Sequence, residues 1–199
     1  MFTKICMFGA IAVLTVAAGC TTYRESNTAR TPEEQILLSK AVDYSLAGMT
    51  HGKLAGQKAF LDVSGLECVD KAYVVDALKQ NLAKDDVRLV DKAEDAEFTV
   101  TVRAGMLATQ AGAALFGLPA LKIPIPMVGT MDSPEVALYK HVKQDGLAKL
   151  CVSAYNKDKR LVGTHEGQAH TRYSRWTVLL LVHWDTTNVA ELKMPVTGK

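Results

Sequence analysis

The sequence predicts an α+β domain in which two helices pack on one face of a mostly antiparallel sheet. Three observations carry this. Two segments with helical periodicity lie in the first half of the chain, separated by a short apolar run, which gives the order helix, strand, helix. Glu97 to Met106 alternates polar and apolar residues, as a half-solvated antiparallel strand does. The last third holds several strand-like runs divided by turn signals such as Asp145-Gly146. Helices first and strands after argue for segregated layers rather than alternating βαβ units.

Thr31-Pro32-Glu33-Glu34 reads as a helix start: Thr31 caps, Pro32 fits the first turn and Glu34 closes a capping box. Leu37, Leu38, Ala41, Val42 and Ser45 then share one face, and the helix should end near Gly48. Lys58 to Val63 reads as a strand broken by Ser64-Gly65. A second helix is expected from about Val69 to Lys84, burying Val74, Val75, Leu78 and Leu82. A short strand, Val87 to Val90, precedes the alternating one. Ala111 to Met127 is apolar but for Lys122 and is broken by Gly112, Gly117, Pro119, Pro124 and Pro126. It reads as a long irregular loop. Val136 to Lys143 and Leu147 to Tyr155 are expected to form a hairpin about Asp145-Gly146. Asn156 to Arg160 is a turn, Leu161 to Gly163 opens the next strand, and Arg175 to Trp184 is the last strand. Residues 189–199 read as a weakly patterned tail.

The chain has 199 residues, 48% hydrophobic and 22% charged, which excludes disordered, collagen-like and polytopic membrane classes. With 23 Lys and Arg against 21 Asp and Glu there is no basic excess of the kind nucleic-acid binders carry, so no nucleic-acid partner is expected. Lys4 followed by an uncharged stretch from Ile5 to Ala18 reads as a secretory signal, too short to span a bilayer of ~30 Å. Val16-Ala17-Ala18-Gly19-Cys20 resembles the lipobox of bacterial lipoproteins, with Ala17 where Leu is commonest. That resemblance implies cleavage before Cys20 and acylation of Cys20. Residues 1–19 would then be the signal peptide, 20–30 a lipidated tether and 31–188 a single domain. Thr21 at the second mature position implies, by the same resemblance, the outer membrane. Cys68 and Cys151 are left as an even pair in an oxidising compartment, where a disulfide and two buried thiols both fit.

His165-Glu166-Gly167-Gln168-Ala169-His170 is one residue too long for the H-E-x-x-H zinc motif. On a strand the two imidazoles would also point to opposite faces, so no metal site is expected. No nucleophile elbow, phosphate loop or dinucleotide fingerprint occurs, and neither a catalytic residue nor a cofactor is expected. Arg172-Tyr173-Ser174-Arg175-Trp176 reads as the polar shoulder of a strand, with contact to lipid phosphates as its functional alternative. On one continuous strand Trp176 and Trp184 would stand about 26 Å apart, close to the ~25 Å apolar band of outer-membrane barrels. Leu179 and Leu181 on the opposite face favour instead a strand at the centre of a sheet. The expected contact element is the 111–127 loop, through Leu115, Phe116, Leu118, Leu121, Ile123, Ile125 and Met127.

Three segments carry a wider resemblance: Asn27 to Thr31 with Glu34-Gln35, Leu54 to Lys58, and Pro134 to Leu138 before Gly146. Through them the chain resembles a family of uncharacterised bacterial lipoproteins, a domain of unknown function. In element order it is loosely similar to curli-secretion-channel lipoproteins and to the TolB N-terminal domain. These readings imply a non-enzymatic periplasmic lipoprotein at the outer membrane, in contact with the membrane and with an envelope protein or further copies of itself. The alternatives are a subunit of an oligomeric envelope channel or transport complex, and an envelope hydrolase or metalloprotein.

Overall fold

The computed structural model describes residues 20–25, 30–125 and 129–193. Its elements are β1 (Cys20–Glu25), α1 (Pro32–Ala47), β2 (Lys58–Asp62), α2 (Lys71–Lys84), β3 (Arg88–Val90), β4 (Phe98–Leu118), β5 (Lys122–Ile125), β6 (Gly129–Asp132), β7 (Val136–Asn156), β8 (Leu161–Val178) and β9 (Val182–Thr187). The main sheet has the order β3, β2, β4, β7, β8, β9, and β1 also pairs with β4. β2 runs parallel to β3 and β4, and the other main-sheet pairs are antiparallel. The expected α+β class is the one observed. The expected signal peptide, residues 1–19, lies outside the described residues.

α1 begins as its sequence predicts. The Thr31 hydroxyl accepts from the Glu34 backbone N–H at 3.3 Å, and the Glu34 carboxylate accepts from the Thr31 N–H at 3.0 Å. Together they satisfy donors that the first helical turn leaves open. The helix buries Leu37, Leu38, Ala41, Val42 and Leu46, and α2 adds Val74, Leu78 and Leu82. These side chains meet Val100 and Val102 of β4 and Ala148, Leu150 and Val152 of β7. Each such Leu or Val contributes about 1.5–3 kcal/mol by leaving water.

The strands beneath α1 are built for close approach. A Cβ on Gly146 would sit 2.7 Å from the Leu37 carbonyl and 2.5 Å from Thr171 Oγ1, and one on Gly167 would overlap the Ser45 carbonyl. The wholly buried Thr171 hydroxyl donates to the Leu37 carbonyl at 2.7 Å. The expected hairpin at Asp145-Gly146 is therefore corrected: Gly146 sits inside β7, and its glycine answers to the helix backbone above it.

Three further corrections concern the rest of the chain. The expected 111–127 loop is strand as far as Leu118, because β4 continues through a bulge between Ala104 and Met106. From Ala111 to Leu115 its residues find backbone partners on both sides, in β1 and in β7, and Phe116 to Leu118 pair with β7. The proposed tether is likewise strand over Cys20–Glu25, and Arg30 closes on Asp70. Finally, Arg175 to Trp184 is two strands. Leu179 and Leu180 take φ of 49° and 63°, so the chain folds back and Trp176 pairs opposite Trp184. A single strand with Trp at both ends does not exist here. The first part of the expected tail also belongs to the fold, since Val189 is fully buried against Leu37 and Tyr173.

Gly167→Ala should destabilise the domain by about 2–4 kcal/mol, because the Ser45 backbone cannot retreat without moving α1. Gly163→Ala, four positions earlier on the same strand face with open space above it, should stay within about 0.5 kcal/mol of wild type. Chemical denaturation of the pair checks both, and equal effects would refute the close-approach account.

Candidate functional site

β4, β7 and β8 continue beyond the cover that α1 provides, and β1 and β9 join them at that end. Register sorts their residues into rows across the sheet. On the face turned away from α1, one row runs Ala114, His141, Trp176, Trp184, and backbone register sets Thr21 of β1 opposite Ala114. His141 stacks on Trp176 with ring centroids 3.7 Å apart, and Trp176 stacks on Trp184 at 6.1 Å. Tyr139 meets Trp176 edge-on at 6.2 Å. The His141 Nε2 is buried with no partner among the described residues.

Beyond this row the sheet ends in exposed apolar side chains. Of the contact residues expected from sequence, Phe116, Leu118, Leu121 and Ile123 are exposed and Leu115 is half-buried. Met127 and the side chain of Ile125 lie outside the described residues. The structure adds Leu138 beside them and the turn Leu179 to Leu181, of which Leu181 is 83% exposed. The Leu179 N–H donates to the Leu138 carbonyl at 2.8 Å, which joins that turn to β7. Most exposed large hydrophobics among the described residues gather at this end; the exceptions are Tyr44, Val69, Tyr73 and Leu161. Two leucines in the left-handed region add about 1–2 kcal/mol each of backbone strain in a turn where Asn-Gly would relieve it.

On the other side of the aromatic row lies a charged cluster. The Asp145 carboxylate, 8% exposed, accepts from Arg172 Nε at 2.7 Å and His170 Nε2 at 2.9 Å on one oxygen, and from Lys143 Nζ at 2.9 Å on the other. Burial opposes its charge, but the hydrogen bonds from Arg172, Lys143 and His170 outweigh that and hold its carboxyl below the usual carboxylate range. The 172–176 motif divides between faces. Arg172 joins this cluster, whereas Arg175 turns to the α1 side and pairs with Asp185 at 2.9 Å.

His165 and His170 do point to opposite faces, as their spacing requires. His165 Nε2 meets the Gly48 carbonyl at 3.0 Å, beside a cavity of about 460 Å³ lined by His51, Lys53, Leu54, Val152 and Val162. His51 bonds Asn81 at 3.0 Å, and burial lowers its pKa. Both imidazoles thus have structural partners. No group of three or more His, Cys, Asp or Glu side chains able to hold a metal occurs among the described residues.

Cys68 and Cys151 are free thiols. Cys68 packs against the helix-side core, whereas Cys151 alternates with the core-facing Leu150 and Val152 and so lies on the far face of the sheet. The sheet separates them, and the disulfide is not formed. Burial raises the Cys68 pKa. At Cys151 burial acts the same way but is outweighed by hydrogen bonds from Arg103, Thr164 and Ser153, so its pKa is lowered.

Residues 13–178 match a family described as a Family of unknown function (DUF6655), and the chain belongs to that family. No curated protein matches it.

The electrostatics have two measurable consequences. In the folded protein Cys151 should be alkylated about tenfold faster than Cys68, read by mass spectrometry of partially labelled protein. Equal rates, or two unreactive thiols, would contradict the placement. For Asp145, a depressed folded pKa means its stabilisation is present above the unfolded carboxylate value and lost as pH falls through the folded one. Asp145→Asn should therefore be less stable than wild type at pH 7, by about 1 kcal/mol, and the gap should close as pH falls below the ordinary carboxylate range. A gap that is constant with pH would refute it.

Proposed function

We propose that this chain is a lipoprotein of the bacterial envelope, acylated at Cys20 and held at the periplasmic face of the outer membrane, which acts through contact rather than catalysis. The apolar sheet end is the surface that meets the membrane. The observation that carries this reading is the register of β1: Cys20 stands opposite Leu115, close to the end of β4 at Leu118. The residue that the lipobox resemblance marks for acylation and the exposed apolar cluster thus belong to the same end of the sheet.

Sterics and energetics agree with this placement. Burying a Leu in an apolar phase gains about 1.5–3 kcal/mol, so the Leu179 to Leu181 turn alone supplies a useful contact. By the lipobox resemblance the anchor on Cys20 carries several acyl chains, which hold the protein at the membrane, and contact through the sheet end would then set how the domain faces it. Among the described residues no helix is long and apolar enough to cross a membrane.

Intact mass should show a lipid increment on the native protein that Cys20→Ser abolishes, with the variant leaving the membrane fraction. An unmodified native mass would overturn the anchor. With the anchor removed by Cys20→Ser, the chain should still sediment with neutral phosphatidylcholine vesicles. Adding Leu180→Asp and Leu181→Asp should weaken that at least tenfold without changing the fold. Unchanged sedimentation would mean that the sheet end meets a protein or another copy of the chain instead.

A further inference from the structure

We propose that Lys143, Arg172 and His170 form a preformed site for the phosphate of an anionic lipid headgroup. This inference rests on the membrane-facing reading of the sheet end and adds the class of lipid.

The three side chains converge on one carboxylate, and that carboxylate is almost wholly buried. Asp145 neutralises one of the two permanent cations, so the cluster keeps a surplus positive charge even with His170 neutral. The cations themselves remain open to solvent, with Lys143 39%, His170 41% and Arg172 47% exposed. Arg172 uses Nε on Asp145, and its two terminal nitrogens hold no partner among the described residues. A buried acceptor behind and free donors in front make a frame whose ordering cost is already met in the unbound protein.

Position supplies the second argument. Lys143 follows His141 by two residues on the same strand face, and Arg172 precedes Trp176 by four. At ~3.3 Å per residue the cations stand about 7 and 13 Å from the aromatic row, on the side away from the apolar end. Aromatic rings settle at the headgroup level of a bilayer, and long basic side chains beside them reach lipid phosphates. The order along this face is apolar end, aromatic row, basic cluster, which is the polarity order of a leaflet from acyl chain to phosphate. The other acid of this row is Glu25, placed by backbone register two strands from Asp145 across Gln110, about 10 Å away. Arg175 and Asp185 belong to the opposite face and take no part.

The test compares vesicles of phosphatidylcholine with vesicles containing one part in three of phosphatidylglycerol, using the full chain with Cys20→Ser so that the acyl anchor does not mask the difference. Each basic residue near an anionic surface is worth about fivefold in binding. The chain should bind the anionic vesicles at least tenfold more tightly than the neutral ones, and 0.5 M salt should remove that increment. Lys143→Gln with Arg172→Gln should bring binding to the anionic vesicles within twofold of binding to the neutral ones while leaving the latter intact. Arg175→Gln, which removes a like charge from the other face, should keep the increment. Equal binding to both vesicle types, an increment that survives the double substitution, or one lost equally in Arg175→Gln overturns the phosphate site. No attachment to neutral vesicles overturns the membrane-facing reading itself, so the two failures are distinguishable. Circular dichroism and thermal unfolding of each variant confirm that it folds.

Discussion

The backbone contact between α1 and the β7–β8 pair governs most of the architecture of this protein. Gly146 and Gly167 remove the side chains that would hold the helix off, and Thr171 turns the resulting contact into a buried hydrogen bond. With the helix seated there, its apolar face lies over Ala148, Leu150 and Val152, and α2 closes the core beside it. Seating also fixes where cover ends. A helix of 16 residues reaches about 24 Å, whereas a strand of 21 residues reaches about 70 Å. Strand length far beyond helix length carries the far end of the sheet past the cover of α1, and on the proposed reading that surplus is what meets the membrane.

On the face turned away from α1, charge and apolarity follow one another in order along this surplus, while Lys140, paired with Glu135, and Arg175, paired with Asp185, belong to the α1 side. The Asp145 cluster lies where α1 cover begins to fail, since Gly146, its chain neighbour, is under Leu37. Next along the same face come His141, Trp176 and Trp184, and then the exposed leucines. A carboxylate this buried would be costly if unpaired, and three donors answer that cost. The cluster therefore ties β7 to β8 part-way along their length while presenting its cations outward. If the cluster takes a lipid phosphate as proposed, structural and recognition roles coincide in the same side chains, with Asp145 serving stability and Lys143 and Arg172 binding.

The parts of the fold governed by local chemistry were legible in the sequence. The capping box at Thr31, the buried stripe of α1 and strand β2 all depend on residues within a few positions of one another. Where a residue type answers to a distant partner, sequence alone misled. Gly146 after an Asp carries the same two-letter signal as a hairpin turn, yet it is glycine because of Leu37, over a hundred positions away. Ala111 to Leu118 has weak strand propensity and becomes strand because β1 and β7 flank it. The turn at Leu179-Leu180 carries none of the Gly or Asn residues that usually mark positive φ. The same division holds for the site. Phe116, Leu118, Leu121 and Ile123 stood out as an apolar run, whereas the Lys143, Asp145, His170 and Arg172 cluster exists only through the β7–β8 register.

The pairing of β1 changes what a lipid on Cys20 would do. A free tether would leave the domain able to tumble beneath the membrane, with no face preferred. Here Cys20 to Glu25 are paired along β4, so a lipid on Cys20 would start from the sheet itself rather than from the end of a free tether. On the proposed reading, the anchor then presents the sheet end to the leaflet at a high effective concentration, and a contact too weak to hold the protein alone becomes persistent. The reverse coupling holds as well. On the same reading, side chains at the sheet end that enter the leaflet would help keep β1 on the edge it shares only with β4. Anchor and sheet end therefore act as one attachment with two parts, and orientation is the property that neither part supplies without the other.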